Sequence, residues 1–144
     1  MSDESRVPEG SRLIFDAIKE AGITTVATLP ELKLQALIDL VAKEYNADTS
    51  RIYIHGQNPS GSGALHLAAK YPDRFAALVV SSGPIVLDNY PFNNIKGKMG
   101  LLVIHGDQDT NNPIAASQKL AEAAKAAGVE TVYATVPGGT HLEA

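Results

Sequence analysis

The stretch Gly56-Gln57-Asn58-Pro59-Ser60-Gly61-Ser62-Gly63 joins the β-branched run RIYI to the apolar helical run ALHLAA. A strand that turns sharply into a helix can present a nucleophilic side chain at its apex, or backbone N–H groups to an anion. The apex residue is Asn58, whose amide a histidine cannot activate as it does a hydroxyl. Pro59 follows and has no backbone N–H to offer a developing negative charge. The neighbouring hydroxyls are Ser60 and Ser62. Ser60 to Ala64 fits a loosened small-x-Ser-x-small pattern centred on Ser62, which reads either as a first-turn helix serine or as a displaced nucleophile. Gly56 to Gly61 has the G-x4-G spacing of a phosphate loop, yet Ser62 and Gly63 stand where such a loop needs Lys and Ser/Thr. Gly56, Ser60, Gly61, Ser62 and Gly63 are thus candidates for cradling a small anion, not a nucleotide.

Titratable side chains stand in three further places. His55, His105, Asp107, Asp109 and His141 all fall at or just after apolar runs. Mixed His and Asp can ligate a metal, but no spacing here imposes convergence, and no metal site is expected. His55 and His105 each precede a glycine at a strand end. Asp109 has a plain role as a turn-former, and His141 stands near the end of the sequence.

These residues need elements to position them. Leu13, Ile14, Ala17, Ile18 and Ala21 recur at helical spacing, ITTVATL reads as a buried strand, and Pro30 opens a helix carrying Leu34, Leu37, Ile38 and Val41. RIYIHG, AALVVSSG, GLLVIHG and ETVYATV read as four more strands. Between them lie a helix beginning near Ser62 and another that Asn112 caps, with Pro113 first, running to Gly128. Strands alternating with helices predict an α/β fold, a three-layer α/β/α sandwich with a mostly parallel five-stranded sheet, as a single domain over 1–144. Sites in such sheets lie at the carboxyl ends of the strands, where the residues above cluster.

With 144 residues the chain is long enough to bury a core, and its formal net charge of −4 argues against nucleic acid or an anionic membrane as partner. The absence of cysteine removes disulfides, thiolate metal sites and cysteine nucleophiles. The polar start MSDESRVPEG has no signal-peptide core, so a soluble, cytoplasmic protein is expected.

From about residue 46 onward, ADTSRIYIHGQ, GALHLAAKYPDRFAALVVSSG, LLVIHGDQD and VPGGTHLEA resemble the C-terminal part of α/β-hydrolases of the feruloyl-esterase, polyhydroxyalkanoate-depolymerase and dienelactone-hydrolase type. The resemblance implies that Asp109 matches the family's acid, His141 its general base and Gly56 the first glycine of the nucleophile elbow. It puts Asn58 at the nucleophile and Pro59 at an oxyanion donor. It also implies that the last four strands lie side by side in order, with their helices on one face. No cofactor follows from it.

Residues of about 10–44, SRLIFDAIKEAGITTVATLPELKLQALIDLVAKE, instead resemble the start of the pyrimidine-binding domain of thiamine-diphosphate-dependent decarboxylases. That family's cofactor-activating glutamate has no counterpart here, so no thiamine chemistry is carried over. Two resemblances meeting near Glu44–Asn46 imply a chimera, constructed or natural. The expected function is a hydrolase-derived scaffold without competent ester hydrolysis. The alternatives are a residual esterase using Ser62 or Ser60 with His141 and Asp109, and an anion-binding loop at Gly56–Gly63. The thinly covered sheet face is expected to support a homodimer.

Overall fold

The computed structural model describes residues 32–83 and 89–141. The expected first strand, ITTVATL, and the helix expected over Ser11–Ala21 lie outside the described residues, so the fifth strand and the second covering layer do too. The chain divides into two units, residues 1–49 and 50–144. The first contains helix α1 (Leu32–Glu44), in which Leu37 of the expected apolar stripe is buried.

The second unit is built on strands β1 (Tyr53–Gln57), β2 (Ala77–Ser81), β3 (Gly100–Gly106) and β4 (Thr131–Val136). They pair in the order β1-β2-β3-β4, every pair parallel, as the hydrolase resemblance implies. Helix α2 (Ser60–Lys70) connects β1 to β2, and α3 (Ile114–Ala126) connects β3 to β4. Helix α2 begins at Ser60, two residues ahead of the expected start, and places Ser62 in its first turn. The cap of α3 is Pro113, not Asn112, and no side-chain capping bond is made there, because the Asn112 side chain is engaged elsewhere.

Register explains which side chains meet the helices. Leu78, Val80, Leu101 and Val103 share one face of the two central strands and are almost wholly buried. Gly61 of α2 lies against Val80, and Ser117 of α3 bonds to His105, so both helices cover this same face. Right-handed crossovers between sequential neighbouring strands require that outcome. Helix α2 contributes Ala64, Leu65, Leu67, Ala68 and Ala69, and α3 contributes Leu120, Ala121 and Ala124. The opposite face carries Tyr53 and Val132 on the two edge strands, both exposed.

Two close approaches fix the strand ends. A Cβ on Gly56 would overlap the backbone of Ser60 and Gly61, and one on Gly106 would overlap the backbone of Gly139. The first glycine lets the chain fold back from β1 into α2; the second lets the loop after β4 sit on the end of β3. Replacing Gly56 with Ala should therefore destabilise the fold by about 1–3 kcal/mol, the usual range for overpacking. Urea unfolding at neutral pH measures this, and a variant as stable as the wild type would contradict the crowding.

Candidate acid–base site at the strand ends

The turn from β1 to α2 places Asn58 in the left-handed region, at φ 55°. Asparagine tolerates that region better than most residues. The Asn58 N–H donates to Ser81 O (2.9 Å), and Asn58 O accepts from Gly61 N–H (3.0 Å). The turn is thus tied to β2 on one side and closes on its own helix on the other. Pro59 continues as the α2 cap at φ −62°, ψ −25°, with no hydrogen to donate.

The other half of the site lies between the loops that follow β3 and β4. Asp107 N–H donates to Val136 O (3.2 Å), Gln108 N–H to Gly139 O (3.0 Å), and Gly138 N–H to Asp107 Oδ1 (2.8 Å). These bonds dock Pro137–His141 onto Gly106–Asp109. They bring His141 Nδ1 to 2.9 Å from Asp109 Oδ2. A carboxylate can only accept, so Nδ1 carries the hydrogen and the lone pair stands at Nε2. That is the tautomer a general base requires.

The Asp109 side chain is fully buried and heavily hydrogen-bonded. Oδ1 accepts the N–H groups of Asn111 (2.8 Å) and Asn112 (2.9 Å). Oδ2 accepts from His141 and lies 3.1 Å from His105 Nε2. Burial pushes the Asp109 pKa up, but the Asn112 N–H, the His141 ring and the Asn111 N–H together outweigh it and hold the group at about 2.

His105, which the sequence placed only at a strand end, is entirely buried beneath this carboxylate. Its Nε2 faces two acceptors, Asp109 Oδ2 and Asn112 O (3.1 Å), so Nε2 carries the hydrogen. The Ser117 hydroxyl, 2.7 Å from Nδ1, donates to it. Strand alternation carried the missed signal, since His105 shares the helix-covered face with Leu101 and Val103.

Asn112 joins the two halves. Its Nδ2 donates to Ser82 O (2.5 Å) and to Asn58 Oδ1 (3.2 Å), while its backbone holds Asp109 and His105. Three hydrogen bonds therefore lead from Asn58 through Asn112 and Asp109 to His141. Ser82 sits at φ 48° with its hydroxyl buried and without a hydrogen-bond partner among the described residues.

The remaining candidates lie apart from this chain of bonds. Ser60 Oγ donates to Gln57 O (2.6 Å), and Gly61 N–H is engaged with Asn58, so two donors of the Gly56–Gly63 loop already close the turn itself. Ser62 lines a groove of about 340 Å³ with Leu65, His66, Lys70, Tyr90 and Asn94, and neither Asp109 nor His141 borders that groove. His55 bonds through Nε2 to Ser81 Oγ (2.8 Å). Among the described residues no group of three or more His, Asp or Glu is placed to hold a metal, and no helix is long and apolar enough to cross a membrane.

A family model described as "Putative esterase" matches residues 30–141, more than three quarters of the chain. The matched span includes α1, which lies ahead of the change of resemblance near Glu44–Asn46. The bifunctional acetylxylan esterase/xylanase of Neocallimastix patriciarum is 30% identical over 73 residues, covering 51% of this chain and 10% of that protein. A thermostable esterase superposes with a TM-score of 0.60 at 29% identity, over 76% of this chain and 30% of its own. A truncated carbohydrate esterase from gut microbiota superposes with a TM-score of 0.59 at 20% identity, over 77% and 60%, a likeness of fold. The chain thus spans only part of the length of these relatives.

The low pKa of Asp109 has a direct consequence for stability. A carboxylate held below its unfolded value of about 3.9 stabilises the native state above that pH, and the contribution disappears as pH falls through about 2. Urea midpoints of the wild type should drop between pH 4 and pH 2, with a shallower drop for Asp109→Asn. At neutral pH that variant should be about 1–3 kcal/mol less stable, because a charge-assisted network is removed. Parallel pH profiles for the two proteins would contradict this assignment.

Proposed function

This chain belongs to the esterase family, and we propose that within it this protein is a hydrolase-type scaffold that binds without hydrolysing esters. The observation that carries this reading is Asn58 at φ 55° on the elbow, with Pro59 next and the His141–Asp109 pair assembled nearby. An elbow normally combines a hydroxyl nucleophile with a backbone N–H on the following residue. Here the position has an amide and the following residue has no N–H. His141 is oriented as a base with no acidic hydroxyl at the elbow apex to serve.

The two absences act on different steps. Without a nucleophile the acyl-enzyme cannot form. Without the Pro59 N–H, a tetrahedral oxyanion loses one donor, an effect of about 10²–10³ in rate in a related geometry. The competing esterase reading needs Ser62 or Ser60 to take the role of Asn58. Ser60 is turned to Gln57 O, and Ser62 faces the separate groove beside Tyr90. Because an acetylxylan esterase and a carbohydrate esterase are among the relatives, we assign O-acylated carbohydrate as the ligand class.

Hydrolysis of p-nitrophenyl acetate tests the proposal. The wild type and His141→Ala should turn over at the same rate, within about twofold, since a base with no nucleophile contributes nothing. The double variant Asn58→Ser/Pro59→Ala should gain both activity, by about tenfold or more, and covalent labelling by a fluorophosphonate. Wild-type hydrolysis that falls sharply in His141→Ala would overturn the reading. Loss of that activity in Ser62→Ala would then identify the serine.

A further inference from the structure

Helix α2 carries a stripe of polar side chains that the acid–base site does not use. Ser62, His66 and Lys70 recur at i, i+4 and i+8, so they stand one above the next over about 12 Å of helix. Leu65 and Ala69 lie between them, and all five border the groove described above. The facing wall is formed by residues 90–94, which end in a short 3-10 turn, Phe92–Asn94. Two bonds pin this wall to the helix: Tyr90 OH donates to Leu65 O (2.8 Å), and Asn94 Nδ2 donates to Ala69 O (3.0 Å). The two carbonyls are about one helical turn apart, so the wall is held at two heights and the groove is formed in advance of any ligand.

The two ends of the groove differ in character. Around Leu65 the lining is apolar, with the rings of Tyr90 and Pro91 opposite. Burial pushes the Tyr90 pKa up, so that hydroxyl stays protonated and committed to the Leu65 carbonyl. Around Ala69 the lining is polar, with His66, Lys70 and Asn94. The Lys70 ammonium lies 5.3 Å from the Tyr71 ring centroid, and no carboxylate pairs with it among the described residues. Asp73, in the loop that follows, is taken by Lys98 at 2.9 Å. His66 has no hydrogen-bond partner among the described residues, and no Asp or Glu lines the groove. A cation without a counter-ion therefore stands at one end of a partly apolar groove, in a chain whose formal net charge is −4.

An anion satisfies the Lys70 end, and the Tyr90 and Pro91 rings favour a flat apolar partner at the other. We infer that this groove binds an organic anion with a flat apolar body, its anionic group at Lys70 and His66 and its rings between Leu65 and the rings of Tyr90 and Pro91. At about 340 Å³ the groove falls at the small end of ligand sites, about 300–1,000 Å³, which suits a small fused-ring body rather than a polymer. Burial of the rings supplies the affinity, and the ammonium supplies selectivity for the charged form. Neither Asn58, Asp109 nor His141 borders the groove, and the ligand needs no ester, so occupancy is independent of what the elbow does.

The test is a ¹H–¹⁵N titration of the 144-residue chain with 2-naphthalenesulfonate, its neutral counterpart 2-naphthol, and methanesulfonate, which has the charged group without the rings. Saturable shifts are expected with 2-naphthalenesulfonate over residues 62–70 and 90–94, with affinity about tenfold weaker for 2-naphthol and for methanesulfonate. Lys70 is exposed at the end of α2, so its replacement leaves the fold intact. Lys70→Met keeps an apolar stem and removes the charge, and should weaken 2-naphthalenesulfonate about tenfold while leaving 2-naphthol unchanged. Lys70→Arg should keep binding within about threefold of the wild type. No saturable shift in those two segments below about 10 mM ligand, or equal affinity for 2-naphthol and the sulfonate, would overturn the assignment. Shifts that centre instead on Asp109 and His141, or binding unchanged in Lys70→Met, would also overturn it by placing the anion elsewhere.

Discussion

A buried carboxylate is tolerated only when nearly every lone pair has a donor, and Asp109 sets that demand for this molecule. Its side chain is closed to solvent, and four groups answer it: two backbone N–H groups from its own loop and one ring nitrogen from each of two histidines. Each answer constrains a different element. The N–H groups of Asn111 and Asn112 fix the turn that leads into α3. His105 anchors the end of β3 and, through Ser117, the second turn of α3. His141 holds the loop after β4. Loss of the charge would loosen all three together, so the acid–base pair is also part of the fold's framework.

That double role explains how such a pair can stand beside an elbow without a nucleophile. The Asp109–His141 contact depends on the loops after β3 and β4, which are docked by Asp107, Gln108 and Gly138. The elbow depends on Gly56, on the left-handed Asn58 and on the bonds to Ser81 and Gly61. Only the Asn112 side chain joins the two systems among the described bonds, and it reaches backbone at Ser82 as well. Serine and asparagine are both small and polar enough for the apex, so the turn does not need a hydroxyl in order to form.

Much of this arrangement was legible in the sequence. Alternating apolar runs and helical spacing locate all four described strands and both helices that pack on them, because period and flanking glycines are local properties. Asp109 and His141 are identified by resemblance, and the structure brings them to 2.9 Å. Asn58 and Pro59 are readable because an amide and an imino acid announce what they lack. What escaped the sequence is cooperative. His105 reads as a loop-side residue until register assigns it to the covered face. Asn112 reads as a helix cap, yet Pro113 caps α3 while the Asn112 amide crosses to Asn58 and Ser82. Neither role has a local signature, since each depends on which strand ends become neighbours.

Asn112 also decides how the Asn58 amide is turned. An asparagine is donor and acceptor at once, and a lone amide at the apex could offer either group. Because Ser82 O can only accept, the orientation of Asn112 is settled first, and that of Asn58 follows from it. At the far end, the carboxylate likewise settles the tautomer of His141. Two atoms that only accept, a backbone carbonyl and a carboxylate, thus settle which atom of Asn58 meets Asn112 and which nitrogen of His141 meets Asp109. The electronic character of the site is therefore imposed by the framework around it rather than by Asn58 and His141 themselves.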